Sequence, residues 1–170
     1  MAHLSASSIT TYLDCPARFK ATRIDKRAEP IGPALAVGVA MHAALEQHFR
    51  VLQQGALGGP GSGFEPDEDE LRRWSASAFR RESERVTVWG RGDKTFHERS
   101  GAAAAVAIGR ALPGLTPSGV EVGFSVPLRE GWTLDGRIDL IAAGAVWDFK
   151  SQTADSTSEW RWHAGKARRQ

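Results

Sequence analysis

The feature that most limits how this chain can fold is a change of hydrophobic period after Pro117. From Val120 to Leu128 the even positions Val120, Val122, Phe124, Val126 and Leu128 are apolar, while Glu121 and Ser125 fall between them. Alternation of this kind sets one face of a strand against a core and leaves the other toward solvent. Arg129-Glu-Gly131 supplies a turn, and the next stretch places Trp132, Leu134, Ile138 and Leu140 opposite Thr133, Asp135, Arg137 and Asp139. A second turn at Gly144 leads to a third strand, Ala145 to Ser151, with Trp147 and Phe149 on one face and Val146, Asp148 and Lys150 on the other. The pattern predicts an antiparallel three-strand meander.

Everything before Pro113 has a helical period. Serines from Ser5 onward can cap a helix that carries Ile9, Leu13 and, past a bend at Pro16, Phe19. Leu35, Val39, His42, Leu45, Phe49 and Leu52 follow steps of three and four, which predicts a helix with this stripe toward the core, ending before Gly55. Residues 55–66 read as a flexible loop, because five glycines and a proline between Gly55 and Gly63 are costly to hold in a helix or strand. Acids in Pro66-Asp-Glu-Asp-Glu70 suit the start of a helix that carries Leu71, Trp74 and Ala78 toward Arg85. An alanine-rich helix is expected over Glu98 to Ala111. Helices followed by a meander give an α/β class, and 170 residues suit one domain, 1–170.

A composition of 41% hydrophobic and 25% charged residues is that of a soluble globular protein, not a fibrous or disordered one. The net charge of +2, from 22 basic and 20 acidic residues, does not by itself announce a polyanionic partner. Basic residues do gather in Arg72 to Arg81 and Arg161 to Arg169, and these are either local nucleic-acid footprints or ordinary solvated faces. The tail 153–170 is polar and then basic. In it Trp160 and Trp162 lie among Arg161, Lys166, Arg168 and Arg169, a pattern that can stack on bases and meet phosphates, or can simply begin an amphipathic helix. Cys15 is the only cysteine, so no internal disulfide forms, and it is read as a small buried hydrophobe. With no signal-like start and no long apolar run, a cytoplasmic protein without a membrane partner is expected.

Chemistry concentrates on the strands. Asp148 and Lys150 share one strand face, so a carboxylate and an ammonium can address the same phosphate, or can form a plain surface ion pair. Glu121, Asp139 and Asp148 stand on the polar faces of consecutive strands. Carboxylates gathered there repel unless a cation joins them, and an open two-carboxylate site suits Mg2+; a hydrated acidic patch is the plainer alternative. His42 is either a satisfied core histidine or, if its helix packs over the sheet edge, an imidazole ligand that Mn2+ accepts more readily. Glu46, one turn later, is then the group that would orient its other ring nitrogen.

Several short strings together resemble a known family. Ser5-x-Ser7-x-Ile9-x-x-Tyr12-x-x-Cys15-Pro16-x-x-Phe19 looks like the opening of RecB-like and AddB-like nucleases and the CRISPR-associated exonucleases related to them. Gly38-x-x-x-His42-x-x-Leu45-Glu46 resembles their first motif, Gly136-Arg-Ile-Asp139 the second and Asp148-Phe-Lys150 the third. The resemblance covers most of the chain and places it in the RecB/AddB-like branch of the PD-(D/E)XK superfamily. It implies a restriction-endonuclease-like fold with a mixed sheet, and a divalent-metal-dependent DNA nuclease, in type an exonuclease, working in recombination, repair or phage replication. By the same resemblance His42, Asp139, Asp148 and the carbonyl of Phe149 would hold Mg2+ or Mn2+. Lys150 would stand beside the reacting water, with Glu121 a further acidic member.

In that family the third motif is followed by a helix bearing a glutamine and a tyrosine four residues apart. Here Gln152 comes too early and Tyr12 is the only tyrosine, so the chain is read as shortened at its C-terminus. A helicase or second chain completing the fold is therefore a candidate partner besides DNA. A catalytically inactive DNA-binding or partner-binding remnant is the alternative function. Iron–sulfur relatives add three cysteines near the C-terminus; with one cysteine, no cluster is expected.

Overall fold

The computed structural model describes residues 2–58, 63–129 and 131–151. Residues 152–170, with Gln152, Trp160, Arg161, Trp162 and Lys166, lie outside the described part. The chain opens with a short strand, β1 (Ala2–Leu4), that the hydrophobic pattern does not reveal. Ser5 then caps α1 (Ala6–Asp14) in a capping box: its hydroxyl accepts from the Ser8 amide, and the Ser8 hydroxyl accepts from the Ser5 amide. Pro16 restarts the helix, because a proline is tolerated at the first helical position, where its missing N–H has no partner to lose. It begins α2 (Pro16–Phe19), which passes into a π-helical turn, Lys20–Ile24.

Cys15 corrects one expectation. It sits at the extended joint between α1 and α2, exposed, with its sulfur accepting from the Arg18 amide at 3.4 Å. A residue in this joint caps a helix and packs against no core.

Three long helices follow: α3 (Pro33–Ala56), α4 (Glu68–Ser83) and α5 (Lys94–Ala111). Asp67 and Asp93 cap α4 and α5 by accepting from the amides of Glu70 and Phe96. Because Asp93 provides a cap, α5 begins before Glu98, where the alanine run alone would start it. Helix α3 is central, packed on α4 and α5 on one side and on the sheet on the other. Its buried stripe is Ala36, Val37, Ala40, Met41, Ala44, Leu45, His48 and Phe49. The expected stripe therefore needs rotating: Leu35 and Val39 are 46% and 37% exposed. Small residues decide this, since Ala36 and Ala40 let α4 approach closely, and a Cβ added to Gly101 of α5 would lie 3.3 Å from the Val37 carbonyl oxygen. The helix also runs past Gly55 to Ala56, which moves the start of the 55–66 loop.

The basic run on α4 is largely matched by acids. Arg72 pairs with Glu68, Arg73 with Glu70, and Arg80 lies beside Glu98.

The sheet is built around its third strand. Strand β2 (Pro117–Arg129) pairs antiparallel with β3 (Trp132–Ala142), Val120 opposite Leu140 and Val126 opposite Leu134. Ala143 and Gly144, with φ of 51° and 71°, make the tight turn into β4 (Ala145–Trp147), which pairs antiparallel with the end of β3. Strand β1 runs parallel to the start of β3, His3 opposite Thr133, on the edge that β4 occupies farther along. The parallel strand makes the sheet mixed, and helices α1 to α5 with this sheet give the restriction-endonuclease-like α/β fold.

Two features of the expected meander change. Strand β4 stops at Trp147, because the Phe149 amide donates to the Asp139 carboxylate (2.6 Å) instead of a backbone carbonyl. The apolar face of the β2–β3 hairpin is buried only at its base, around Val120 and Leu140; Val126, Leu128 and Trp132 remain nearly half exposed.

Candidate active site

Helix α3 and the hairpin bring three expected residues together. One ligand atom each from His42, Glu121 and Asp139 lie within 4.8 Å of one another. His42 is on α3 just off its buried stripe, with Nδ1 3.6 Å from Asp139 Oδ1. Asp139 is anchored on β3, and its other oxygen, Oδ2, accepts from the Phe149 amide. Glu121 lies on β2 between Val120 and Val122, whose pairing with Leu140 and Ile138 sets it across from Asp139. Its φ of +52° is one that a residue with a side chain adopts at a cost, and such conformations recur at functional sites.

The electrostatics of the cluster follow from burial. The Glu121 side chain is only 12% exposed. Loss of solvation pushes its carboxyl above the ordinary value, and the nearby charges of Asp139 and Glu46 add to this; Arg137 and His42 oppose it. Arg137 Nη1 lies 3.5 Å from Glu121 Oε2. Glu46 is held by Arg50, Nε to Oε1 2.9 Å, and lines the same groove as His42. The carboxylate beside the imidazole is that of Asp139.

Asp148 and Lys150 are placed differently. They form an exposed ion pair, Nζ to Oδ1 2.9 Å, and Asp148 does not join the three-residue group. Phe149 between them is 7% exposed, its ring stacked on Phe49 at 5.7 Å and 11°. The buried ring and its bonded amide hold Phe149 against Phe49 and Asp139, with Asp148 and Lys150 as its neighbours in the chain. Arg137 is the site residue that the sequence pattern left unassigned. Its signal was its place in Gly136-Arg-Ile-Asp139, two residues before Asp139 and so on the same side of β3. A Cβ at Gly136 in that string would fall 2.3 Å from the ring of Phe124, which is 38% exposed, so a side chain there would have to displace that ring.

An imidazole and two carboxylates at this spacing, one of them destabilised by burial beside like charge, suit a divalent cation of the Mg2+ or Mn2+ kind. A mixed sheet under helices that gathers such a cluster offers the ligand set that metal-dependent phosphate-ester hydrolases use. Residues 3–167 match the PD-(D/E)XK nuclease superfamily, and the chain belongs to it. A search of curated proteins found no match, and a search of solved structures found none either. Among the described residues no helix is long and apolar enough to cross a membrane.

Proposed function

We propose that this chain, as a single domain, is a DNA nuclease of the RecB/AddB-like branch, hydrolysing phosphodiester bonds as an exonuclease in recombination, repair or phage replication. The observation that carries the reading is the convergence of His42, Glu121 and Asp139 from a helix and two strands within 4.8 Å. His42, Glu121 and Asp139 would hold Mg2+ or Mn2+, with Asp148 and the Phe149 carbonyl as further ligands. A divalent cation supplies a lowered pKa for water and an offset for charge growing on phosphoryl oxygens.

The chain's own residues do the rest. Asp139, tied to the Phe149 amide, keeps the 148–150 segment against the cluster. Lys150 pairs with Asp148 at 2.9 Å on a side chain 73% exposed, and a cation that took Asp148 as a ligand would release the ammonium toward a phosphate. There it would orient the attacking water and stabilise the negative charge of the transition state. Trp160, Arg161, Trp162 and Lys166 would extend the grip on DNA, and a helicase or second chain would present the DNA end.

The test is release of nucleotides from end-labelled DNA in Mg2+ or Mn2+, comparing wild type with Asp139→Asn and Lys150→Ala. Loss of at least a hundredfold in each, with folding intact, is expected. Full activity in both would overturn the assignment of the site.

A further inference from the structure

A groove of about 420 Å³ opens beside the cluster, lined by Leu35, Val39, His42, Glu46, Glu121 and Arg137 with small residues between. One wall is a straight line on α3, Leu35, Val39, His42 and Glu46, at steps of four, three and four. The first two members are apolar and open to solvent, Leu35 46% and Val39 37% exposed, and the third belongs to the cluster. At 1.5 Å per residue this apolar ledge extends about 10 Å from His42. The facing wall carries Arg137, 68% exposed, two residues and hence about 7 Å along β3 from Asp139. A groove with an apolar ledge on one wall, Arg137 beside Glu121 on the other and the His42–Glu121–Asp139 cluster at its end fits, once a cation offsets the carboxylates, a chain that alternates flat apolar rings with phosphates.

We infer that this groove is a subsite for one unpaired nucleotide next to the bond cut, with Arg137 on its phosphate and the Leu35–Val39 ledge under its sugar and base. The inference rests on the nuclease reading for its substrate and adds where the neighbouring nucleotide sits. Arg137 Nη1 lies 3.5 Å from Glu121 Oε2; a cation held by Glu121 would take over that neutralisation and leave the guanidinium for phosphate. Arg137 suits this part because its planar fork can meet two phosphate oxygens at once.

The experiment is fluorescence anisotropy with the full chain, in Ca2+, using a labelled thymidine octanucleotide and the same strand made abasic throughout. The proteins are wild type, Leu35→Ser/Val39→Thr and Arg137→Gln. Because Leu35 and Val39 are exposed, folding should be unaffected, and thermal unfolding checks this. The ledge variant should bind the octanucleotide about tenfold more weakly, a loss of ~1.4 kcal/mol. Wild type should bind the abasic strand equally weakly, and the ledge variant should lose nothing further on it. Arg137→Gln should weaken both strands alike and lower the salt dependence by about one phosphate contact.

Equal binding of the two strands by wild type, no binding of either, or a ledge variant with wild-type affinity would each overturn the subsite. Hydrolysis of DNA in Mg2+ with no base-dependent binding would sink the subsite and leave the nuclease reading standing. Base-dependent binding with no hydrolysis in Mg2+ or Mn2+ would do the reverse.

Discussion

Replacing Phe149 by alanine should separate what holds the site from what performs the chemistry. The ring is 7% exposed and stacks on Phe49 at 5.7 Å, so the substitution removes a buried aromatic together with its partner's contact. Loss of a core phenylalanine costs about 3–5 kcal/mol, of which stacking geometry accounts for ~0.5–1.5. Phe149 lies at the border of the core with exposed Lys150 beside it, so the space left can partly collapse, and the lower end, about 3 kcal/mol, is expected. For a chain of this size that is a fall in Tm of roughly 6–12 °C. Phe149→Leu, which keeps most of the volume, should cost about 1 kcal/mol. Urea unfolding of both variants gives the free energies. The amide bond to Asp139 is main-chain and survives either change. In an assay run well below both midpoints, Phe149→Ala should therefore lose activity through displaced Asp148 and Lys150, and Phe149→Leu should keep most of it. A destabilisation under about 1 kcal/mol for the alanine variant would show that the ring does not anchor the 148–150 segment.

Glu121→Gln removes a carboxylate that is buried beside like charge, so in EDTA its Tm should exceed that of wild type, while the gain on adding Mn2+ should vanish. Wild type at a hundredfold excess over Kd should gain about 2.7 kcal/mol; an equal gain in the variant would exclude Glu121 as a ligand. His48, 3% exposed and with Nδ1 unpartnered among the described residues, has its pKa lowered by burial. The unfolded chain then takes up a proton near pH 6.5 that the folded chain refuses, so stability should fall as pH drops below that value, by at most ~1.4 kcal/mol per unit. Urea midpoints from pH 7.5 to 5 should show a shallower slope for His48→Leu; identical slopes would place the effect elsewhere.

The parts of the fold legible in the sequence were those set by local periodicity. The alternation from Val120 to Leu128 is enough to mark β2, and Ala143-Gly144 lies where a tight turn was expected. Alternation did not show that the outer half of the hairpin would lie beyond the helices, because cover depends on the length of α3 and not on the strand. On α3 the large residues Leu35 and Val39 drew the stripe one way, while close packing on α4 and α5 chose the alanines, which carry little hydropathy but allow helices to touch. Three residues are too few to reveal β1, whose pairing comes from β3 over a hundred positions away. In the site, Asp139 and Glu121 were readable as polar positions of facing strands. The Glu46–Arg50 pair, the joint that exposes Cys15 and the early end of β4 all came from competing local hydrogen bonds.

The pairing of β1 with β3 bears on the order in which the molecule assembles. His3 is bonded across the sheet to Asp135, 132 positions along the chain, so the first strand emerges from the ribosome long before its partner exists. The helices, including His42, are synthesised before either strand of the hairpin. Long-range pairing of this kind forms slowly, because the loop-closure entropy is lost before the contacts return anything. Glu121 and Asp139 can reach His42 only once the hairpin has closed on α3. A half-made chain would therefore carry no assembled cluster, and the three groups would meet only when the hairpin docks on α3.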